Sequence, residues 1–207
     1  MAHSELPSGE KWRHFELKAS GLRDFARARP DAPLNPFDLA RLANLLVVDI
    51  DRIKGLRIKT RKHLLGSAAE EWSGGACSRP LPDGRKIVIL NPNHGHARTY
   101  ATLMEEICHV FLGHTPNRLS VVAEDTRGKT SARDYKKQDE EAAYAIGAAA
   151  LVPFAALRRL VMEGKSSTQI ARHFRVSREL VEYRLKVTHL WETYKSVHIE
   201  EQEVTSR

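Results

Sequence analysis

The sequence predicts an α+β fold: a small β-sheet set among helices, followed by a C-terminal pair of helices. Three observations carry this. The run Lys86-Ile87-Val88-Ile89-Leu90 is β-branched and stops at Asn91-Pro92, the pattern of a strand. Between Thr99 and Leu112, residues Leu103, Ile107 and Val110 share one helical stripe, with Met104, Cys108 and Phe111 beside it, the pattern of a buried helix. From 154 to 195, apolar and basic residues alternate at helical spacing.

Composition sets the bounds. The chain has 207 residues, 42% of them hydrophobic and 29% charged, a globular balance rather than that of a disordered chain. The length suits one domain with a smaller appendage, and its core needs no staples. Two cysteines, Cys77 and Cys108, are too few for a disulfide framework, so a reducing cytoplasm is expected. The start, Met1 to Glu5, lacks a basic stretch followed by an apolar one, so no signal peptide is expected. The most apolar stretch, Ala145 to Leu157, contains Pro153 and falls short of the roughly 20 residues a membrane span needs. A net charge of +7 points to nucleic acid or an acidic partner.

The elements follow in order. Residues 1–35 read as a polar N-terminal extension with at most one short helix near Trp12 to Ala28. Asn35-Pro36 is a helix start, and Phe37, Leu39, Ala40, Leu42, Ala43 and Leu46 recur at helical spacing after it. Val47 to Ile50 reads as a short strand. Glu71 to Cys77 and Lys86 to Leu90 form a hairpin around Pro82-Asp83-Gly84. The buried helix 99–112 stops at Gly113. Residues 115–137 read as a mobile basic loop. A second apolar helix runs from Gln138 to Leu151 and stops before Pro153. The divisions expected are 1–35, a domain over 36–155, a helical segment over 156–195 and a flexible tail over 196–207.

The helix 99–112 carries Glu105, Glu106 and His109 among apolar neighbours. Buried charge costs several kcal/mol without a partner, and a metal ion is one candidate for that partner. Glu105 and His109 are four apart and lie on one face, so both can grip one ion. Glu106 is turned about 100° away, as is the base in the His-Glu-x-x-His helix, where Glu105 here takes the first position. The other reading has both glutamates solvated and His109 in a core hydrogen bond. His114 is a fallback ligand. In the next helix Asp139, Glu140 and Glu141 either complement the helix dipole or bring a third carboxylate, Glu140 or Glu141, to the same face. Cys108 reads as a small buried hydrophobe.

The C-terminal stretch Ser167 to Leu185 reads as two helices with a tight turn. Ile170, Ala171 and Phe174 form one apolar face, Ser177 is an N-cap, and Leu180, Val181 and Leu185 face inward. Arg158 to Lys186 holds eight Lys or Arg against three Glu. Either the helix 178–186 enters the DNA major groove with Arg178 and Arg184, or the pair is structural.

Several pieces together resemble the ImmA/IrrE family of metallo-endopeptidases. They are Pro36-Phe37-Asp38-Leu39-Ala40, Trp72-Ser73-Gly74, Ile87 to Pro92, Ala97-Arg98, the helix ending Leu112-Gly113-His114, and Glu141-Ala142-Ala143-Tyr144 to Leu151-Val152-Pro153. The resemblance spans about 36–190. It implies a zincin-like metalloprotease domain with a C-terminal helix-turn-helix-like segment. It implies one divalent metal, Zn2+ or Mn2+, with His109 as a ligand, Glu141 as the third ligand and Glu106 as general base. Glu105 replaces the family's first histidine. Three outcomes stay open: Glu105 is a ligand, other groups such as His114 hold the metal, or catalysis is lost. The implied function is cleavage of a helix-turn-helix repressor to relieve repression, in a stress response or in mobile-element control. The alternative is a degenerate member acting as a DNA-binding or repressor-binding regulator.

Overall fold

The computed structural model describes residues 6–53, 55–77, 80–114 and 137–197. In chain order these form α1 (Glu10–Phe25), α2 (Pro36–Leu42), β1 (Leu45–Asp49), a 3-10 turn (Ile50–Arg52), α3 (Ile58–Leu65), β2 (Gly74–Ala76) and β3 (Lys86–Leu90). There follow α4 (His96–Phe111), α5 (Lys137–Leu151), α6 (Phe154–Met162), α7 (Ser167–Phe174) and α8 (Arg178–Val187). Residues 191–197 are helical again. The class is α+β, as the sequence predicts. The expected basic loop lies outside the described residues up to 136, as does the tail from 198.

The β-branched strand β3 is the centre of a three-stranded sheet of order β1-β3-β2. It runs parallel to β1, with Leu45 opposite Lys86 and Asp49 opposite Leu90. It runs antiparallel to β2, with Gly74 opposite Leu90 and Ala76 opposite Val88. The hairpin forms where expected. Gly84 takes a φ of +81°, and the Asp83 carboxylate accepts from the Arg85 N–H at 3.0 Å. The first strand is shorter than the expected 71–77, because a turn with Glu71 N donating to Ala68 O precedes it. Gly74 packs directly on α4. A Cβ there would stand 2.7 Å from Thr102 Cγ2 and 3.1 Å from Ile89 O, so only glycine lets the strand lie this close.

The N-terminal segment differs most from expectation. Helix α1 has 16 residues, and its buried positions include Glu16 and Arg23 beside Ala19 and Leu22. Glu16 accepts from the Phe154 N–H at 2.6 Å and pairs with Arg184 Nη2 at 2.5 Å. Arg23 donates to Ala150 O and to Ala32 O, each at 2.7 Å. A carboxylate therefore meets the N-terminus of α6, and a guanidinium meets the C-terminal end of α5. Both are favoured by the helix dipoles and by orphan backbone groups at helix ends. Helix α1 thus clamps the 54° bend between α5 and α6 at Pro153.

One hydrophobic core takes Ala19 and Leu22 from α1, Leu90 from the sheet, Leu103 and Ile107 from α4, Ile146 from α5, and Leu157, Phe174 and Leu185 from the C-terminal helices. It draws on both sides of residues 35/36 and 155/156. In the C-terminal segment, Ser166 and Gln169 form a capping box on α7, and the Ser177 hydroxyl accepts from Leu180 N–H at the start of α8. Arg175 adopts the left-handed φ of +59° between the two helices, a place where glycine is common. Among the described residues no single helix is long and apolar enough to cross a membrane.

Candidate metal centre

Helix α4 sets Glu105 and His109 one turn apart, and α5 crosses it closely because of its small residues. A Cβ on Gly147 would stand 3.3 Å from Met104 Cγ and 3.5 Å from Glu105 N. That close crossing brings Glu140, two turns earlier on α5, to the same place. Donor atoms of Glu105, His109 and Glu140 all lie within 4.8 Å of one another. His109 Nε2 stands 3.7 Å from Glu140 Oε2. A tetrahedral ion with bonds of about 2.0–2.2 Å sets its ligands about 3.3–3.6 Å apart. The trio is within about an ångström of that spacing, and its donor set of two carboxylates and one imidazole suits a borderline or hard divalent cation.

His109 is only 2% exposed. Burial holds its pKa below the ordinary histidine value, and His114 adds to this, against the opposing pull of Glu140 and Asp139. The ring is therefore neutral at pH 7, the form that can ligate. It does make the core hydrogen bond weighed above, with Nδ1 lying 3.0 Å from His114 Nδ1. The other nitrogen, Nε2, is the one directed at Glu140. His114 Nε2 lies 3.6 Å from Asp139 Oδ1.

Glu106, at 8% exposure, is buried beside Glu105 and turned about 100° around α4. Cys108 is fully buried; burial, with the Glu105 charge, pushes its thiol far up, so it stays protonated and unreactive. Tyr144 was not singled out by the sequence. It lies one turn after Glu140 on α5, and burial followed by the Glu105 charge raises its phenol pKa. Its ring meets Tyr183 edge-on at 5.0 Å, and the Tyr183 hydroxyl is pushed up to about 12, chiefly by burial. The signal available was its spacing of four from Glu140.

Two expectations change. Glu141, the third ligand that the resemblance implies, is directed elsewhere. Its carboxylate is 47% exposed and pairs with Lys11 Nζ on α1, because one step along a helix turns the side chain by about 100°. Arg184, a candidate for the DNA groove if the helix pair is not structural, is 2% exposed and held by Glu16 and by Val152 O. Arg178 is exposed but paired with Glu182 at 3.1 Å.

Helix α4 carries Glu-Glu-x-x-His where a zincin helix has His-Glu-x-x-His, and α5 brings another glutamate to it. Residues 56–186 match the family of IrrE N-terminal-like domains, Peptidase_M78, and the chain belongs to that family. No curated protein matches the chain. A solved structure of a Mycobacterium tuberculosis transcriptional regulator is similar, with 17% identity and a TM-score of 0.49. The match covers 83% of this chain and 46% of the regulator, so the chain spans less than half of that protein.

Proposed function

We propose that the chain is a metal-dependent endopeptidase that cleaves a regulatory protein of the helix-turn-helix repressor kind. The observation that carries this is the convergence of Glu105, His109 and Glu140 within 4.8 Å, with Glu106 buried beside them. Glu105, His109 and Glu140 would hold the ion, Zn2+ or Mn2+. When bound, such an ion supplies Lewis-acid polarisation of the scissile carbonyl and of the attacking water. Glu106 accepts the proton from that water at its carboxylate and hands it to the leaving amine. Two carboxylates and one imidazole, in place of one carboxylate and two imidazoles, lower the charge left on the ion. This favours Mn2+ relative to a two-histidine site and slows hydrolysis. A cytoplasmic setting belongs to the same proposal.

The alternative is a non-catalytic DNA-binding or repressor-binding regulator. Its base contacts would come from Arg178 and Arg184; Arg184 is committed to Glu16, which leaves only Arg178 of the two exposed, so DNA reading by α8 is disfavoured, while repressor binding without a cut is separated by the cleavage assay. The test is reconstitution of the full chain with Zn2+ or Mn2+, metal analysis, and incubation with a helix-turn-helix repressor as candidate substrate. Stoichiometric metal and a single cut that Glu106→Gln abolishes are expected. No bound metal after reconstitution overturns the proposal. Glu105→His restores the two-histidine helix and is expected to raise both Zn2+ affinity and cleavage. If neither rises, Glu105 is not at the metal.

A further inference from the structure

Helix α4 ends in a turn that folds the chain back on itself. Gly113 takes a φ of +69°, His114 N donates to His109 O at 3.0 Å, and Gly113 N donates to Val110 O at 3.2 Å. These two bonds are the Schellman pattern, which sets the residue two beyond the helix cap against the one three from the helix end. Those positions are usually apolar. Here they are His114 and His109, and the contact is a 3.0 Å approach of Nδ1 to Nδ1. Two residues five apart could not face each other along a straight helix; the left-handed glycine makes it happen.

At that distance one nitrogen donates and the other accepts, because a neutral imidazole carries one N–H. His109 Nε2 points toward Glu140, so coordination there requires a bare Nε2 and a proton on Nδ1. That proton is then given to His114 Nδ1. His114 in turn carries its own N–H at Nε2, facing Asp139 Oδ1 at 3.6 Å. We infer that His114 is a positioning residue rather than a metal ligand: it accepts from His109 Nδ1–H and so fixes the ring orientation and the tautomer that presents Nε2 to the ion, with Asp139 behind it. The inference rests on the metal-centre reading above. Both of its helix-end bonds come from the sequence Leu112-Gly113-His114, so the helix stop and the support of the ligand are one device. Outer partners of this kind are typically worth 10–100-fold in metal affinity.

The test uses the full chain, with Co2+ and Zn2+ as probes. Affinity is measured by chelator competition, and the visible spectrum of the Co2+ form at saturation reports the donor set. Three variants are compared: His114→Leu, His114→Ala and His114→Asn, whose carboxamide oxygen can accept from Nδ1–H. His114→Leu and His114→Ala are expected to bind about 10–100-fold more weakly. His114→Asn is expected to stay within about threefold of the unaltered chain, since it restores the acceptor. The saturated Co2+ spectrum is expected to be the same in all four proteins. Unchanged affinity in the Leu and Ala variants overturns the inference. So does a loss as large in Asn as in Leu, which would mean packing alone. A saturated spectrum that loses a nitrogen donor would make His114 a ligand and also overturn it. If the unaltered chain binds neither ion, the metal-centre reading falls, and this inference with it.

Discussion

The buried pair of Glu16 and Arg184 separates a structural C-terminal segment from a DNA-reading one, and Arg184→Met tests the difference. Methionine fills most of the same volume but deletes every donor. Arg184 Nη2 lies 2.5 Å from Glu16 Oε2, and Nε donates to Val152 O at 3.0 Å. Without them, Glu16 keeps the hydrogen bond from Phe154 N–H but holds a buried charge without its counter-ion. Breaking one side of a buried pair typically costs about 3–5 kcal/mol. For a chain near 200 residues, each kcal/mol moves Tm by about 2–4 °C, so the metal-free protein should melt about 6–20 °C lower. The double variant Glu16→Met with Arg184→Met removes both charges and should recover most of that loss. Urea and thermal melts of the unaltered chain, Arg184→Met, Glu16→Met and the double variant measure this, with retention on DNA followed in parallel. The reasoning fails if Arg184→Met loses less than about 1 kcal/mol. It also fails if the double variant falls as far as the summed single ones, or if DNA retention drops while stability holds.

Further outcomes follow from the site. Glu140→Gln should lower metal affinity by at least the 10–100-fold seen for outer-sphere changes. Glu141→Gln should leave affinity unchanged and cost under about 1 kcal/mol, since it breaks only a half-exposed pair with Lys11; the reverse result would return the third ligand to Glu141. Gly147→Ala should stay within about 1 kcal/mol, because the gain in helix propensity offsets a small shift of Met104. Gly147→Leu should cost about 1–3 kcal/mol and weaken metal binding by pressing on the backbone at Glu105. Burial lowers the His109 pKa in the folded chain, so the unfolded chain takes up its proton first. Its contribution to stability is therefore intact above about pH 6.5 and is lost as pH falls below that value; melts and chelator competition from pH 7.5 to 5 should show both stability and metal affinity declining together.

What could be read from the sequence was whatever a single element decides. Ile87 to Leu90, the stripe of Leu103 and Ile107, and the Ser177 cap depend on local spacing, and each appears where that spacing puts it. The pairing of Glu105 with His109 is also local, since one helical turn fixes it. The choice between Glu140 and Glu141 is not. It depends on the rotation of α5 against α4, which the contact of Gly147 with Met104 sets, and no pattern within α5 reports that. Helix α1 was underestimated because its inward face carries Glu16 and Arg23 while Leu17 and Phe25 lie exposed, so hydrophobic periodicity runs against burial. Arg184 looked like surface charge because its partner is 168 residues away.

That separation has a consequence in time. During synthesis Glu16 emerges long before Arg184, and at roughly 5–20 residues per second the interval is on the order of 10–30 s. Throughout it, the carboxylate on α1 has no guanidinium to meet, and the N-terminus of α6 that it caps has not been made for most of that period. Helix α1, made before every other described element, is thus among the last to be locked. The nascent chain holds its metal-binding helices before it holds the clamp that fixes the bend between α5 and α6. A stalled or truncated product ending before residue 184 would carry Glu105, His109 and Glu140 on a scaffold missing its final bolt.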